Sequence, residues 1–153
     1  MANTYTQIFI QGVFVVQNRT CLISKSWKDE LCKYISGIIK NNNHKPLAVN
    51  GIEDHIHIFV GMKPSQSVSD LLQDVKAYSS GWINDKKFLP GHFNWQSGFG
   101  AFSYSYSQID KVIKYIMNQE EHHKKKTFKE EYLKLLKNFE VEYNEKFLFK
   151  WIK

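Results

Sequence analysis

Long apolar runs are missing from this chain. Hydrophobic residues fill 42% of its 153 positions, yet no stretch approaches the roughly 20 residues that a helix needs to cross a bilayer. The opening "MANTYTQIFI" lacks the basic start and continuous apolar segment of a secretory signal, so a soluble, cytoplasmic protein without a membrane partner is the expectation. Cysteine is scarce: Cys21 and Cys32 are the only two. They are too few for a disulfide framework and lack the spacing of a zinc site, and both are read as reduced packing residues. No repeat, low-complexity tract or Pro/Gly/Ser-rich linker divides the sequence. The length suits one domain over 1–153, with a core over about 5–123 and a helical, basic and aromatic extension over 124–153.

What is present is positive charge and aromatic surface. The formal net charge is +6 and the pI about 9.2, which favours an anionic partner, nucleic acid first. Aromatics make up 15% of the residues. Most are read as core, but aromatic faces beside lysines also suit the stacking of single-stranded nucleic acid.

Read from the N-terminus, "YTQIFIQGVFVVQN" predicts a strand with a bulge at Gly12. "SKSWKDELCKYISGIIKNNN" predicts a helix capped by Ser26, with Asp29 three residues on and a stripe of Leu31, Tyr34, Ile35, Ile38 and Ile39. "KPLAVNGIEDHIHIFVGM" gives two strands with a turn near "NGIED". Ser67 caps a second helix whose buried face is Val68, Leu71, Leu72, Val75, Tyr78 and Trp82. "WQSGFGAFSYSYS" is a fourth strand, loosened by Gly98 and Gly100. "SQIDKVIKYIMNQEEHH" is a third helix, and "TFKEEYLKLLKNF" a fourth, opened by a capping box at Thr127 and Glu130. The order β-α-β-β-α-β followed by helices predicts an α+β fold of the ferredoxin-like, split β-α-β type. Its four-stranded antiparallel sheet carries two helices on one face, and the other face is expected to be open.

The stretch "GIEDHIHIFV" places His55 and His57 two apart. Side chains alternate along a strand, so His55, His57 and Phe59 share one face, and Ile56, Ile58 and Val60 the other. Two readings are open here. Each imidazole is a hydrogen-bonded or exposed histidine, or the two together are part of a divalent metal site that needs a further ligand elsewhere.

The third helix offers that ligand. In "YIMNQEEHH", Tyr115 and Gln119 lie four apart, one helical turn from each other. They flank the apolar stripe of Ile109, Val112, Ile113 and Ile116, and His122 falls near the same flank. A metal on His55, His57 and the Gln119 carbonyl oxygen could polarise a phosphodiester, and Tyr115 could attack phosphorus. A phenol has a pKa near 10 in water and needs help from a metal or base.

Together "DHIHIFV" and "YIMNQ" resemble the paired motifs of the single-tyrosine HUH transposases, enzymes that move insertion sequences as single-stranded DNA, and of their REP-associated relatives. "WQSGFGAFSYS" before the tyrosine helix, "HH" after it and "FKEEYLKLLKNFEVEYNEKFLF" also look like the family, so the likeness runs over about 5–150. The resemblance implies that C-terminal helices of a ferredoxin-like domain carry Tyr115 as nucleophile, giving a 5′-phosphotyrosine and a free 3′-OH. It implies Mg²⁺ or Mn²⁺ on His55, His57 and Gln119, a DNA hairpin as partner, and a homodimer in which the Tyr115 helix can serve the partner's site. Lys40, Lys45, Lys76, Lys86, Lys87, Lys111, Lys114, Lys124, Lys125 and Lys126 are candidates for phosphate contacts. His122, His123, Trp95 and Gln96 are candidates for supporting roles. Histidine-triad nucleotide hydrolases need a third histidine where Phe59 stands. A replication or relaxase-type HUH nickase is an alternative, as is a catalytically silent nucleic-acid-binding relative. An RNA-binding sheet is disfavoured because His55 and His57 replace the expected aromatics.

Overall fold

In the computed structural model, which describes residues 3–151, the hydrophobic pattern folds as β1 (Phe9–Val15), α1 (Lys25–Asn41), β2 (Lys45–Gly51), β3 (His55–Gly61), α2 (Val68–Lys86) and β4 (Gly100–Tyr104), followed by α3 (Ile109–Met117), α4 (Gln119–His122) and α5 (Phe128–Asn138). Met1, Ala2, Ile152 and Lys153, at the ends of the expected single domain, lie outside the described residues. The strands pair antiparallel in the order β2-β3-β1-β4. That is the expected ferredoxin-like sheet, and it makes the histidine strand β3 and its partner β1 the two central strands.

One face of the sheet carries the expected helices. Phe14 of β1, Val49 of β2 and Ile56, Ile58 and Val60 of β3 pack against Leu31, Ile35 and Ile39 of α1 and Leu71, Leu72 and Val75 of α2. Ser67 caps α2 through the Asp70 amide. The cap of α1 is Ser24, not Ser26; its hydroxyl accepts from the Ser26 amide, so the helix starts earlier than its hydrophobic stripe suggests. Tyr78 does not join the buried face of α2. It is 59% exposed, and Ser79 and Ile83 take the inward positions.

Gly12 does not mark a bulge. Pairing on both sides of β1 runs through it without a shift, and the irregularity lies instead between Pro46 and Ala48 on β2. A Cβ at Gly12 would sit 3.0 Å from Ile58 and 3.3 Å from Leu72. Close helix-on-sheet packing, the other reason for a glycine in a strand, accounts for it. The fourth strand begins at Gly100, and Trp95 makes only a single bridge to Val16.

The second face is covered, not open. Val13, Val15 and Phe102 pack under Phe128, Tyr132, Leu135 and Leu136 of α5, with Phe149 of the C-terminal segment. Ala48 and Phe59 pack under Val112 and Ile116 of α3. The reason is visible in "VFVV" and "IHIFV": these central strands are apolar on both faces, and strands of that kind are buried on both. The two helical covers leave a polar seam between them, and the histidines sit in it.

Gly51 ends β2 just before the turn into the histidine strand. A Cβ there would collide with the carbonyl of His55 and lie 2.9 Å from the Cα of Ile56, backbone atoms that cannot swing aside. Gly51→Ala is therefore expected to lower stability by on the order of 3 kcal/mol. At Gly37, inside α1, a Cβ would meet no heavy atom within 4 Å, and Gly37→Ala is expected to raise stability by about 0.5–1 kcal/mol. Urea denaturation of the two variants checks both signs.

Candidate active site

β3 presents His55 and His57 to the seam, and both are fully buried. Their rings meet edge to face with centroids 5.0 Å apart, and the His55 ring stacks on Phe128 at 4.0 Å. Each outer nitrogen is held. Nδ1 of His55 lies 2.7 Å from Oδ1 of Asp54, and Nδ1 of His57 lies 2.9 Å from Nε2 of Gln11 on β1. The inner Nε2 atoms turn toward the helices.

The expected third helix does not run unbroken to "EEHH". Asn50, buried on β2, donates its side-chain amide to the carbonyls of Ile116 (3.1 Å) and Met117 (3.2 Å). Those are terminal acceptors of α3, and the chain turns out of the helix at Asn118 (φ −102°, ψ 25°) before α4 begins. The break buries Gln119 completely. Its carbonyl oxygen lies 2.9 Å from Nε2 of His55, and its amide donates to Glu131 at 3.0 Å. Lys28 fixes α4 from below, donating to the Gly51 carbonyl (3.1 Å) and pairing with Glu120 (3.3 Å).

Glu131 of α5 closes the site and was not anticipated. Oε1 lies 3.4 Å from Nε2 of His55, 3.4 Å from Nε2 of His57 and 3.0 Å from Nε2 of His123. Oε2 accepts from Gln119 and, in a short hydrogen bond, from the hydroxyl of Tyr115. A signal was available in "FKEEYLKLL". Glu131 lies three residues after Phe128 and four before Leu135, so it falls on the apolar stripe of α5, where a carboxylate needs partners. Asp54, Gln11 and Asn50 were missed as well, because each acts through a contact that spacing does not reveal.

The remaining candidates divide. Tyr115 meets the cluster, its ring 5.9 Å from that of His57 and 4.7 Å from that of His122. Nε2 of His122 is buried without a hydrogen-bond partner among the described residues. A cleft of about 530 Å³ opens beside Tyr115, lined by His122, Lys125, Lys126, Glu131 and Lys134. Lys124 pairs with Glu121 at 3.2 Å, and Lys111 and Lys114 are exposed on α3. Lys76 is spent internally, donating to the carbonyls of Gln96 and Gly98 at 2.7 Å. Trp95 belongs to the core on the opposite face, where its indole donates to Ser79. Gln96 bonds the carbonyls of Val16 and Lys150, and Lys86 and Lys87 end α2 on that same opposite layer.

The charges form one coupled set. Burial opposes protonation of His55, but hydrogen bonds to Asp54 and Glu131 and their charges outweigh it and raise the ring to about 9. Burial lowers His57, against the pull of Glu131, and lowers His123 to about 4, helped by His55. Glu131 is held down to about 2: burial would raise it, but His57 and His55 win. The cluster therefore sets an imidazolium at His55 between the carboxylates of Asp54 and Glu131.

The donor set also suits a divalent cation. Nε2 of His55, Nε2 of His57 and a Glu131 oxygen all lie within 4.8 Å of one another, and each imidazole nitrogen lies 3.4 Å from Oε1 of Glu131, inside the roughly 4.2 Å that two ligands at about 2.1 Å from one ion can span. Imidazole nitrogens with carboxylate and amide oxygens fit borderline and hard divalent ions. The proton on Nε2 of His55 stands where such an ion would bind.

These shifts fix the sign of the pH dependence in EDTA. His57 and His123 are held below their ordinary value of 6.5, so their contribution is complete above 6.5 and is lost as pH falls below it. His55 is held above 6.5, so its contribution is complete below 6.5 and is lost as pH rises toward about 9. Thermal melting temperature is expected to peak near neutrality and fall on both sides. Added Mn²⁺ is expected to flatten the alkaline limb.

No curated protein matches the sequence. A transposase assignment accompanies a similar crystal structure from Deinococcus radiodurans R1, 18% identical, with 78% of this chain and 95% of that chain covered and a TM-score of 0.62. A REP-associated tyrosine transposase bound to a REP hairpin is also similar, 13% identical over 80% of this chain and 73% of that chain, with a TM-score of 0.59. At these identities the likeness speaks to the fold. In sequence, residues 4–119 match the family described as "Transposase IS200 like", a span that includes β1 to β4, both histidines, Tyr115 and Gln119, and the chain belongs to that family of transposases.

Proposed function

We propose that the chain nicks and rejoins single-stranded DNA through Tyr115, with Mg²⁺ or Mn²⁺ held by His55, His57 and Gln119 and with Glu131 as an additional carboxylate ligand. The observation that carries this reading is the convergence of a phenol, two inward-facing imidazole nitrogens, an amide oxygen and a buried carboxylate in one seam of one chain. When bound, the ion would supply charge neutralisation at a phosphodiester.

The chain's own groups account for the rest. Tyr115 forms an O–P bond while the bond from phosphorus to the 3′ oxygen breaks, and the phenolic proton ends on that oxygen. The products are a 5′-phosphotyrosine and a 3′-OH, and the phosphoester energy is kept for rejoining. Glu131, held near 2, is a poor acceptor for the proton of a phenol whose ordinary pKa is about 10. It serves to orient Tyr115 and to balance charge. Asp54 keeps Nδ1 of His55 protonated, so that Nε2 faces inward. Asn50 places Gln119 by ending α3. Lys125, Lys126 and Lys134 along the cleft give phosphates a path to Tyr115, and a hairpin-bearing strand end is the substrate this reading favours. A homodimer, with the Tyr115 helix able to serve either subunit, completes it.

The test is a denaturing gel with labelled single-stranded hairpin oligonucleotides. A covalent protein–DNA band is expected with Mg²⁺ or Mn²⁺, none with EDTA and none with Tyr115→Phe, while native-gel binding by that variant stays within about threefold of wild type. Undiminished cleavage by Tyr115→Phe would sink the assignment.

A further inference from the structure

Tyr115 stands in the wall of a cleft of about 530 Å³, within the size range in which proteins enclose small organic ligands. A site for a bare phosphate needs little beyond cations and N–H donors, and this cleft offers more. Leu135 gives it an apolar surface. The rings of Tyr115 and His122 give it flat ones, with centroids 4.7 Å apart and planes tilted by 41°. Asn118, just past the end of α3, and Asn138, the last residue of α5, are exposed and line the same space. Each amide carries donors and an acceptor together, which is also the pattern on the edge of a nucleobase. Both carboxylates of the cleft are engaged: Glu121 pairs with Lys124 at 3.2 Å, and Glu131 accepts from the Tyr115 hydroxyl. Nε2 of His122 is buried with no hydrogen-bond partner among the described residues, and a buried polar group of that kind marks a place that can take one more partner.

We infer that this cleft is a nucleobase pocket, and that it holds the base of the nucleotide whose phosphate Tyr115 attacks. This rests on the reading of Tyr115 as the nicking nucleophile. When the bond from phosphorus to the 3′ oxygen breaks and the O–P bond to Tyr115 forms, the nucleotide on the other side of that phosphate stays on the protein through its 5′ oxygen. Its base is then one sugar away from the phenol, and the space beside the phenol is this cleft. The division of labour follows from the lining. Every base has a flat face, so the rings and Leu135 supply affinity whatever the base. Base edges differ in their donors and acceptors, so the amides of Asn118 and Asn138 discriminate. Lys125, Lys126 and Lys134 hold the phosphates on either side. The position of the cut is therefore chosen in part by the protein, one base at a time, beside whatever the folded shape of the DNA contributes.

Two measurements on the full chain test this. In the first, ¹H–¹⁵N NMR follows the side-chain amides of Asn118 and Asn138 while each of the four deoxynucleoside 5′-monophosphates is added in EDTA, with 2-deoxyribose 5-phosphate as the base-less control. The preferred nucleotide is expected to shift both amides and to bind about 10-fold more tightly than the control. The four bases are expected to differ by about fivefold, and Asn138→Ala, an exposed change at the end of a helix, to compress that spread to within about twofold. In the second, the cut is mapped on a hairpin oligonucleotide with Mg²⁺, and the nucleotide retained on Tyr115 is replaced by an abasic unit. The covalent band is expected to form about 10-fold more slowly, and an abasic unit four positions away to leave the rate unchanged. A control that binds as tightly as every nucleotide, or an abasic unit at the retained position without effect on the rate, overturns the pocket and leaves the nicking reading standing. Nucleotide preference without a covalent band on any hairpin overturns the nicking reading, and with it the assignment of the base to the attacked phosphate.

Discussion

A carboxylate buried without counter-charge costs several kcal/mol, and Glu131 is a buried carboxylate. It is stable where it lies because three imidazole nitrogens surround one of its oxygens and a phenol and an amide donate to the other. The requirement runs in both directions. Without Glu131, His55 would lose a partner that sustains its charge, and Tyr115 its hydrogen-bond acceptor. The register of α5 is fixed accordingly: its capping box at Thr127 and Glu130 sets the first turn, Phe128 lies on the ring of His55, and Tyr132 fills the space above Gly100, where a Cβ would come within 2.5 Å. One short stretch of helix thus brings a cap, a stacking ring and a counter-ion to the same face of the sheet.

The sheet was readable because period-two alternation is a local property. "HIHIFV" states which residues share a face, and the isoleucine side did become the core against α1 and α2. Tyr115 and Gln119 were readable as a spaced pair. What covers the histidine side was not, since alternation says that a face exists and nothing about what lies on it. The end of α3 is set by Asn50, 66 residues earlier in the chain than Ile116, and no window around "YIMNQ" contains it. Glu131 was hidden for a similar reason: its stripe position predicts burial but does not name three histidines as its company. Lys76 read as a free cation until the carbonyls of Gln96 and Gly98 closed on it.

The fold also separates the reactive interior from the surface charge. The seam sets one imidazolium between two carboxylates, Asp54 and Glu131, and the lysines of the neighbouring cleft lie outside it. Lys125, Lys126 and Lys134 line the cleft at the Tyr115 edge of the seam and not the histidines themselves. Surface charge and the buried titratable cluster are thereby assigned to different residues.

Asn50, His55, His57, Tyr115 and Gln119 all precede α5 in the chain. Synthesis runs from the N-terminus, so the sheet and its first two helices can take shape while the second face is still bare. During that interval the histidine strand has its neighbours on either side but no acid opposite it. The cluster is completed by the last-made of its helices, and without α5 the residues Val13, Val15 and Phe102 would lack their apolar cover. The order of the elements along the sequence therefore places the acid of the buried cluster last, after every group it pairs with except His123 has been laid down on the elements before it.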